Sequence, residues 1–425
     1  MTAEIAVLNR SAVALAADSA VTITTHSGQK IYNTVNKLFT LSKYEPIGVM
    51  VNGTADLMSV PWELIIKLYR REIDDMSFGT VENAADHFLG WVRDEHRLFP
   101  TELREEYALK TVGSFFAEVL KEELGDAVRL RLQTESLTDE QVGDIVDEQV
   151  RQTIEFLEAR DEIGWCSPAT AASVMKLGSD PLDELISVIF ENLPMSSEAR
   201  SGLEKIARLI LHKDFFGNTS GLVVSGYGRD EAYPALCRFD LDGLVADEAK
   251  FIQRSHFRIG HDGGASIQPF AQREMVDTFI AGIAPDYGDA LDGFLAGFFE
   301  ELPQRIGEGL SDPTVRSEVE TTIAAIGAAA HQHFGNQLRA YTQERFVSPI
   351  VSAVEVLPKE ELAEMAEALV NLTSFKRRVS LGEVETVGGP IDVAVISKGD
   401  GFVWIKRKHY FQPELNPQFF ANYYR

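Results

Sequence analysis

Apolar and polar positions alternate from the start of the chain. Residues 5–8 and 12–16 are two short β-type runs separated by the polar Asn9-Arg10-Ser11, which predicts a hairpin. Residues 21–25 and 37–41 are also β-rich, and residues 47–51 form an apolar run that ends at Asn52-Gly53. The period then changes. Leu57, Val60, Leu64, Ile65 and Leu68 recur at three- and four-residue steps, so an amphipathic helix is predicted over 54–73. Residues 76 to about 214 are acidic and helical in pattern. Thr138-Asp-Glu-Gln141 fits a capping box, and Val142, Ile145, Val146, Val150, Ile154 and Leu157 form one stripe behind it. Further helices are predicted over 181–193 and 198–211, with a loop near 164–168. Strand character returns at 221–227, 234–240 and 250–259, and a glycine-rich turn follows at 260–264. A second helical block is predicted from 267 to about 373. Val315, Val319, Ile323 and Ile326 mark it, as do Leu362, Met365, Leu369 and Leu372. The chain closes with a hairpin pattern, 391–396 and 402–405, around an Asp400-Gly401 turn.

The order of strands, helices, strands, helices and strands predicts an α+β fold, with helices on antiparallel sheets in two or four layers. Five segments follow from it. Residues 1–75 and 215–272 are core strands with one helix. Residues 76–214 are a mainly helical insertion. Residues 273–374 are a helical layer or extension, and 375–425 carry the final strands and a tail.

Composition narrows the partners. The 425 residues carry a formal net charge of −25, which argues against nucleic acid and anionic membrane. Cys166 and Cys237 are too few for a disulfide framework and lack metal spacing, so they read as buried thiols in a reducing compartment. No apolar run approaches the roughly 20 residues of a membrane helix, and no basic stretch leads into an apolar N-terminal core. A cytoplasmic location is expected.

The candidate chemistry lies at the start. Thr2 is small enough for an aminopeptidase to remove Met1, which would leave a Thr hydroxyl beside a free α-amine. A Thr hydroxyl is a weak nucleophile, and a neutral terminal amine, with a reference pKa of about 7.7–8.0, can serve as its base. Asp18 follows sixteen positions later in Val13-Ala-Leu-Ala-Ala-Asp18-Ser19. At the end of an apolar strand its carboxylate needs a partner. Lys37, which opens Lys37-Leu38-Phe39-Thr40-Leu41, is preferred. Lys30 competes for the role but sits in a predicted turn, Ser27-Gly28-Gln29. The His residues form no metal constellation: His331 and His333 are two apart on a predicted helix and share no face. The glycine-rich turn has no following Lys-Ser/Thr, which excludes a nucleotide-triphosphate loop.

Thr2, the Ala-Ala-Asp18-Ser19 motif, and the run from Lys37 to Asn52-Gly53-Thr54-Ala55-Asp56 resemble the proteasome β-subunit and HslV group of N-terminal nucleophile (Ntn) hydrolases. The resemblance implies an αββα four-layer sandwich with additional helical segments. It implies a threonine peptidase or amidohydrolase that forms an acyl-enzyme on Thr2, with no metal or organic cofactor. Oxyanion donors would come from backbone near Met50, with Gly48 and Gly53 flanking. Glu383 and Thr386 keep a carboxylate-x-x-hydroxyl spacing before Gly388-Gly389, where that family orients the nucleophile's amine; a plain turn is an equal reading of the two glycines. Peptide or protein substrates, a homo-oligomer and, by analogy, an unfoldase or adaptor partner follow from the same resemblance. Two alternatives stay open: a small-amide hydrolase on the same scaffold, and a non-catalytic assembly or adaptor protein.

Overall fold

A computed structural model describes every residue except 1, 26–27, 176–179, 192, 218, 261–262, 381–387 and 424–425. The chain divides into two compact units, Met1–Leu38 with Ile259–Arg425, and Phe39–Arg258. Each combines antiparallel strands with helices, a mixed α+β architecture.

In the first unit, β1 (Ala3–Asn9) pairs antiparallel with β2 (Val13–Ala17), Leu8 lying opposite Val13. Asn9 closes their turn. Its side-chain oxygen accepts from the N–H groups of Ser11 at 2.8 Å and Ala12 at 3.2 Å, the local bonding that makes Asn a turn residue. A short ribbon follows, β3 (Val21–Thr25) against β4 (Gly28–Tyr32), so Gly28 and Gln29 belong to a strand and not to the predicted turn.

The second unit holds β5 (Leu38–Thr40), β6 (Ile47–Gly53), the two-residue pair β7 (Asp56–Leu57) and β8 (Val60–Pro61), then β9 (Ser220–Gly226), β10 (Ala235–Val245) and β11 (Glu248–Arg258). Its sheet runs β11-β10-β9-β6-β5. Val49, Val51, Leu222 and Val224 pack against Trp62, Ile65 and Tyr69 of helix Trp62–Ile73 and Phe88 of helix Val81–Asp94. The first of these helices starts later than position 54, because the β7–β8 ribbon takes the preceding residues. The acidic region is helical. Its capping box is formed at helix Asp139–Glu158, where the N–H of Thr138 donates to Gln141 at 2.9 Å. Val146, Val150 and Leu157 of that helix are buried with Leu203 and Ile206 of helix Ser197–His212.

The remaining strands return to the first unit: β12 (Ala265–Ala271), β13 (Asp392–Ser397) and β14 (Gly401–Lys406). The sheet order is β12-β1-β2-β13-β14. The predicted helical block therefore begins too early. Residues 267–271 form the edge strand β12, which tolerates Pro269 because an edge N–H need not enter the ladder, and helix begins only at Glu274. Alternation along β1 sends Ala3, Ile5 and Val7 to the face covered by Leu362, Ala366 and Val370 of helix Lys359–Val379. Thr2, Glu4 and Ala6 take the opposite face. All of β1 is buried. Among the described residues, no helix is long and apolar enough to cross a membrane.

Candidate active site around Thr2

The candidate site is built at one end of the β1–β2 hairpin. Asp18 directly follows β2, and its backbone N–H donates to the carbonyl of Ala3 at 3.1 Å. Its carboxylate collects three donors. Ala3 N–H reaches Oδ1 at 3.2 Å, Gly388 N–H reaches Oδ2 at 2.9 Å, and the Lys37 ammonium pairs with Oδ1. Ser19 N–H in turn donates to the carbonyl of Gly388 at 3.1 Å, so the two-residue segments grip each other. The neighbouring Gly389 has φ +78°, and a Cβ there would stand 2.8 Å from the carbonyl oxygen of Asn33. Only glycine fits this turn without strain.

Lys37 is 5% exposed and its ammonium has a second carboxylate, Glu4, with Oε1 3.1 Å from Nζ. Glu4 is fully buried. The Thr2 hydroxyl donates to the other oxygen of Glu4, Oε2, at 3.0 Å. Thr2 is 1% exposed, and its carbonyl accepts from Gln272 N–H at 3.2 Å. Burial pushes the Glu4 carboxyl up from 4.5 to about 7. The Lys37 charge opposes that rise, the Asp18 carboxylate reinforces it, and bonds from Thr2 and Lys37 oppose it again. Behind this cluster, Lys408 pairs with Asp392 of β13, and its own backbone N–H donates to Asp392 at 2.8 Å. Burial draws the Lys408 ammonium down.

The structure thus brings Thr2, Asp18 and Lys37 together. Lys30 lies in β4, exposed, with its ammonium 5.0 Å from the centre of the Tyr32 ring. Glu383 and Thr386 lie outside the described residues. Met50 and Gly53 belong to β6 of the second unit; Met50 is fully buried, and Gly53 has φ +77°. Sequence reasoning missed Glu4, Gly388 as a donor to Asp18, and the Asp392–Lys408 pair. Glu4 left a signal: it is the one charge in the otherwise apolar run Ala3-Glu4-Ile5-Ala6-Val7, two residues from Thr2 and so on its face of a strand. Among the described residues, no three metal-ligating side chains converge; the site brings together a hydroxyl, two carboxylates and an ammonium.

Comparison with known proteins adds little to this geometry. No family model matches the chain, and no curated protein matches it. Among solved structures, Anbu (ancestral beta-subunit) from Yersinia bercovieri is similar at 9% identity, covering 99% of this chain and 94% of that one, with a TM-score of 0.31. A likeness that low supports no statement on fold or activity. These findings correct the membership in the proteasome β-subunit and HslV group suggested by the motifs around Asp18 and Lys37. The physical reason is the brevity of the motifs: small apolar residues and an Asp suit a buried hairpin ending in a satisfied carboxylate whatever its ancestry.

Proposed function

We propose that the chain is a hydrolase whose nucleophile is the Thr2 hydroxyl, at an N-terminus exposed by removal of Met1. It cleaves a peptide or amide bond through an ester on Thr2, which water then hydrolyses. The observation that carries this reading is the convergence of Thr2, Glu4, Asp18 and Lys37, with the hydroxyl already bonded at 3.0 Å and one ammonium joining both carboxylates. A cation beside a hydroxyl lowers the cost of its ionisation, and like-charge repulsion favours a neutral α-amine. Asp18, pinned by Ala3 and Gly388, holds that cation in place. An αββα four-layer sandwich is the architecture this proposal entails.

Intact-mass measurement tests the reading. Purified protein should lack Met1. An epoxyketone, whose adduct uses the hydroxyl and the amine of one threonine, should add to the wild type and to Thr2→Ser but not to Thr2→Ala. Full retention of Met1 would remove the exposed N-terminus from the reading, and no adduct on a wild type that lacks Met1 would sink it.

A further inference from the structure

We infer that Glu4 is the group that takes the proton of the Thr2 hydroxyl, an assignment that rests on the nucleophile reading above. The geometry is direct. Thr2 stands just before β1, two residues from Glu4, and the hydroxyl donates to Oε2 at 3.0 Å. The second oxygen, Oε1, is buried and faces the Lys37 ammonium at 3.1 Å. A carboxylate held this way has one oxygen for the hydroxyl and one for the cation.

The groups facing Glu4 come from several elements. Asp18 stands at the end of β2, and Lys37 precedes β5. Thr2 lies two residues before it, just ahead of β1, and Phe270 and Ala17 lie opposite it on β12 and β2. The Asp392–Lys408 pair completes the charged surroundings. Burial and Asp18 raise the carboxyl to about 7, where it is a far stronger base than an exposed Glu and still ionised at neutral pH in useful amount.

The cycle balances on this group. The Thr2 oxygen forms a bond to the substrate carbonyl carbon as its proton passes to Glu4 Oε2, and the C=O electron pair moves to the carbonyl oxygen. That pair returns, the C–N bond breaks, and the leaving nitrogen takes the proton from Glu4. Water then attacks the ester and gives a proton to Glu4, which returns it to the departing Thr2 oxygen. The substrate leaves as an acid and an amine. The α-amine of Thr2 is not required for either proton transfer.

A β-lactone tests this, because its ring opening acylates a hydroxyl without calling on an amine. Acylation rates are followed by intact mass between about pH 5 and 9 for four proteins: wild type, Glu4→Gln, Thr2→Ala, and wild type prepared with a methionine-aminopeptidase inhibitor so that Met1 stays and Thr2 has no α-amine. The expected result is a rate that rises through about pH 7 in the wild type and in the Met1-retaining protein. In Glu4→Gln the rate should fall by about 10²–10⁴-fold and lose that rise. An unchanged rate and profile in Glu4→Gln overturns the inference. So does loss of acylation on Met1 retention, which also decides the matter if Glu4→Gln fails to fold. Failure of the underlying reading looks different: the wild type is then not acylated, or is acylated equally in Thr2→Ala.

Discussion

Each unit buries a lysine, and the two lysines are kept in opposite ways. In the second unit, Lys250 is fully buried and faces one carboxylate, Asp242, at 2.8 Å. The carbonyl of Phe215 accepts a further bond at 2.6 Å, and the ring of Phe216 lies 5.0 Å away. Charges match one to one, and the remaining donors have partners; this is what a buried pair needs merely to be tolerated. In the first unit, Lys37 faces two carboxylates, and one of them bonds a hydroxyl at the end of a strand. Burial first, and then the Asp18 carboxylate, lift the Glu4 carboxyl to about 7 and leave a proton-accepting group beside the Thr2 hydroxyl. A matched buried pair explains itself as structure, whereas a mismatched cluster with a reactive hydroxyl calls for a chemical role.

The largest effects should come from removing each lysine. Lys37→Ala strands two buried carboxylates and should cost about 3–5 kcal/mol in chemical denaturation while abolishing epoxyketone labelling. Lys250→Ala should cost a similar amount by stranding Asp242, yet leave Thr2 labelling intact in the folded protein. Loss of labelling in both would erase the contrast. Asp18→Asn should also abolish labelling, and Lys37→Ala combined with Asp18→Asn should lose little more than either alone, because the groups act as a unit.

The next effect is a pH dependence of stability. Glu4 titrates at about 7 when folded, against 4.5 for an ordinary carboxyl. Between these values the folded chain holds a proton that the unfolded chain has released, so stability falls as pH rises from about 4.5 to about 7. The shift corresponds to about 3 kcal/mol at most. Denaturation midpoints at the two pH values should differ in the wild type by a share of this size that is missing from Glu4→Gln. Equal pH dependence in both proteins would remove Glu4 from the account.

Gly389→Ala should have a smaller effect, about 1–3 kcal/mol, from forcing a side chain into φ +78° against Asn33. Because Gly388 N–H holds Asp18, labelling should slow as well. Lys30→Ala should change least, within about 0.5 kcal/mol and with labelling unaffected, since Lys30 is exposed in β4. Lost labelling there would move the cation of the site from Lys37 to Lys30.

Local pattern made much of the fold legible. Alternation around Asn9-Arg10-Ser11 marks the β1–β2 hairpin, and Thr138 with Gln141 marks a helix start by chemistry confined to four residues. Strand β12 was not legible, because its residues read as part of a helical block until β1 is known to pair with them. The same holds for the site. The interval from Thr2 to Asp18 and the segment after Lys37 point to one place, and the structure brings these residues together. Glu4 stays hidden in the sequence because the apolar members of the alternation define the strand without it. Gly388 and the Asp392–Lys408 pair come from some 370 residues away in the chain, a proximity that only sheet pairing creates.

The central claim is that Thr2 is the nucleophile. Peptide mapping after brief reaction with a β-lactone tests it most directly. The account predicts an acyl group on the peptide that begins with Thr2, and no acylation of that peptide in Thr2→Ala. An acyl group placed elsewhere, formed equally in Thr2→Ala, would contradict it.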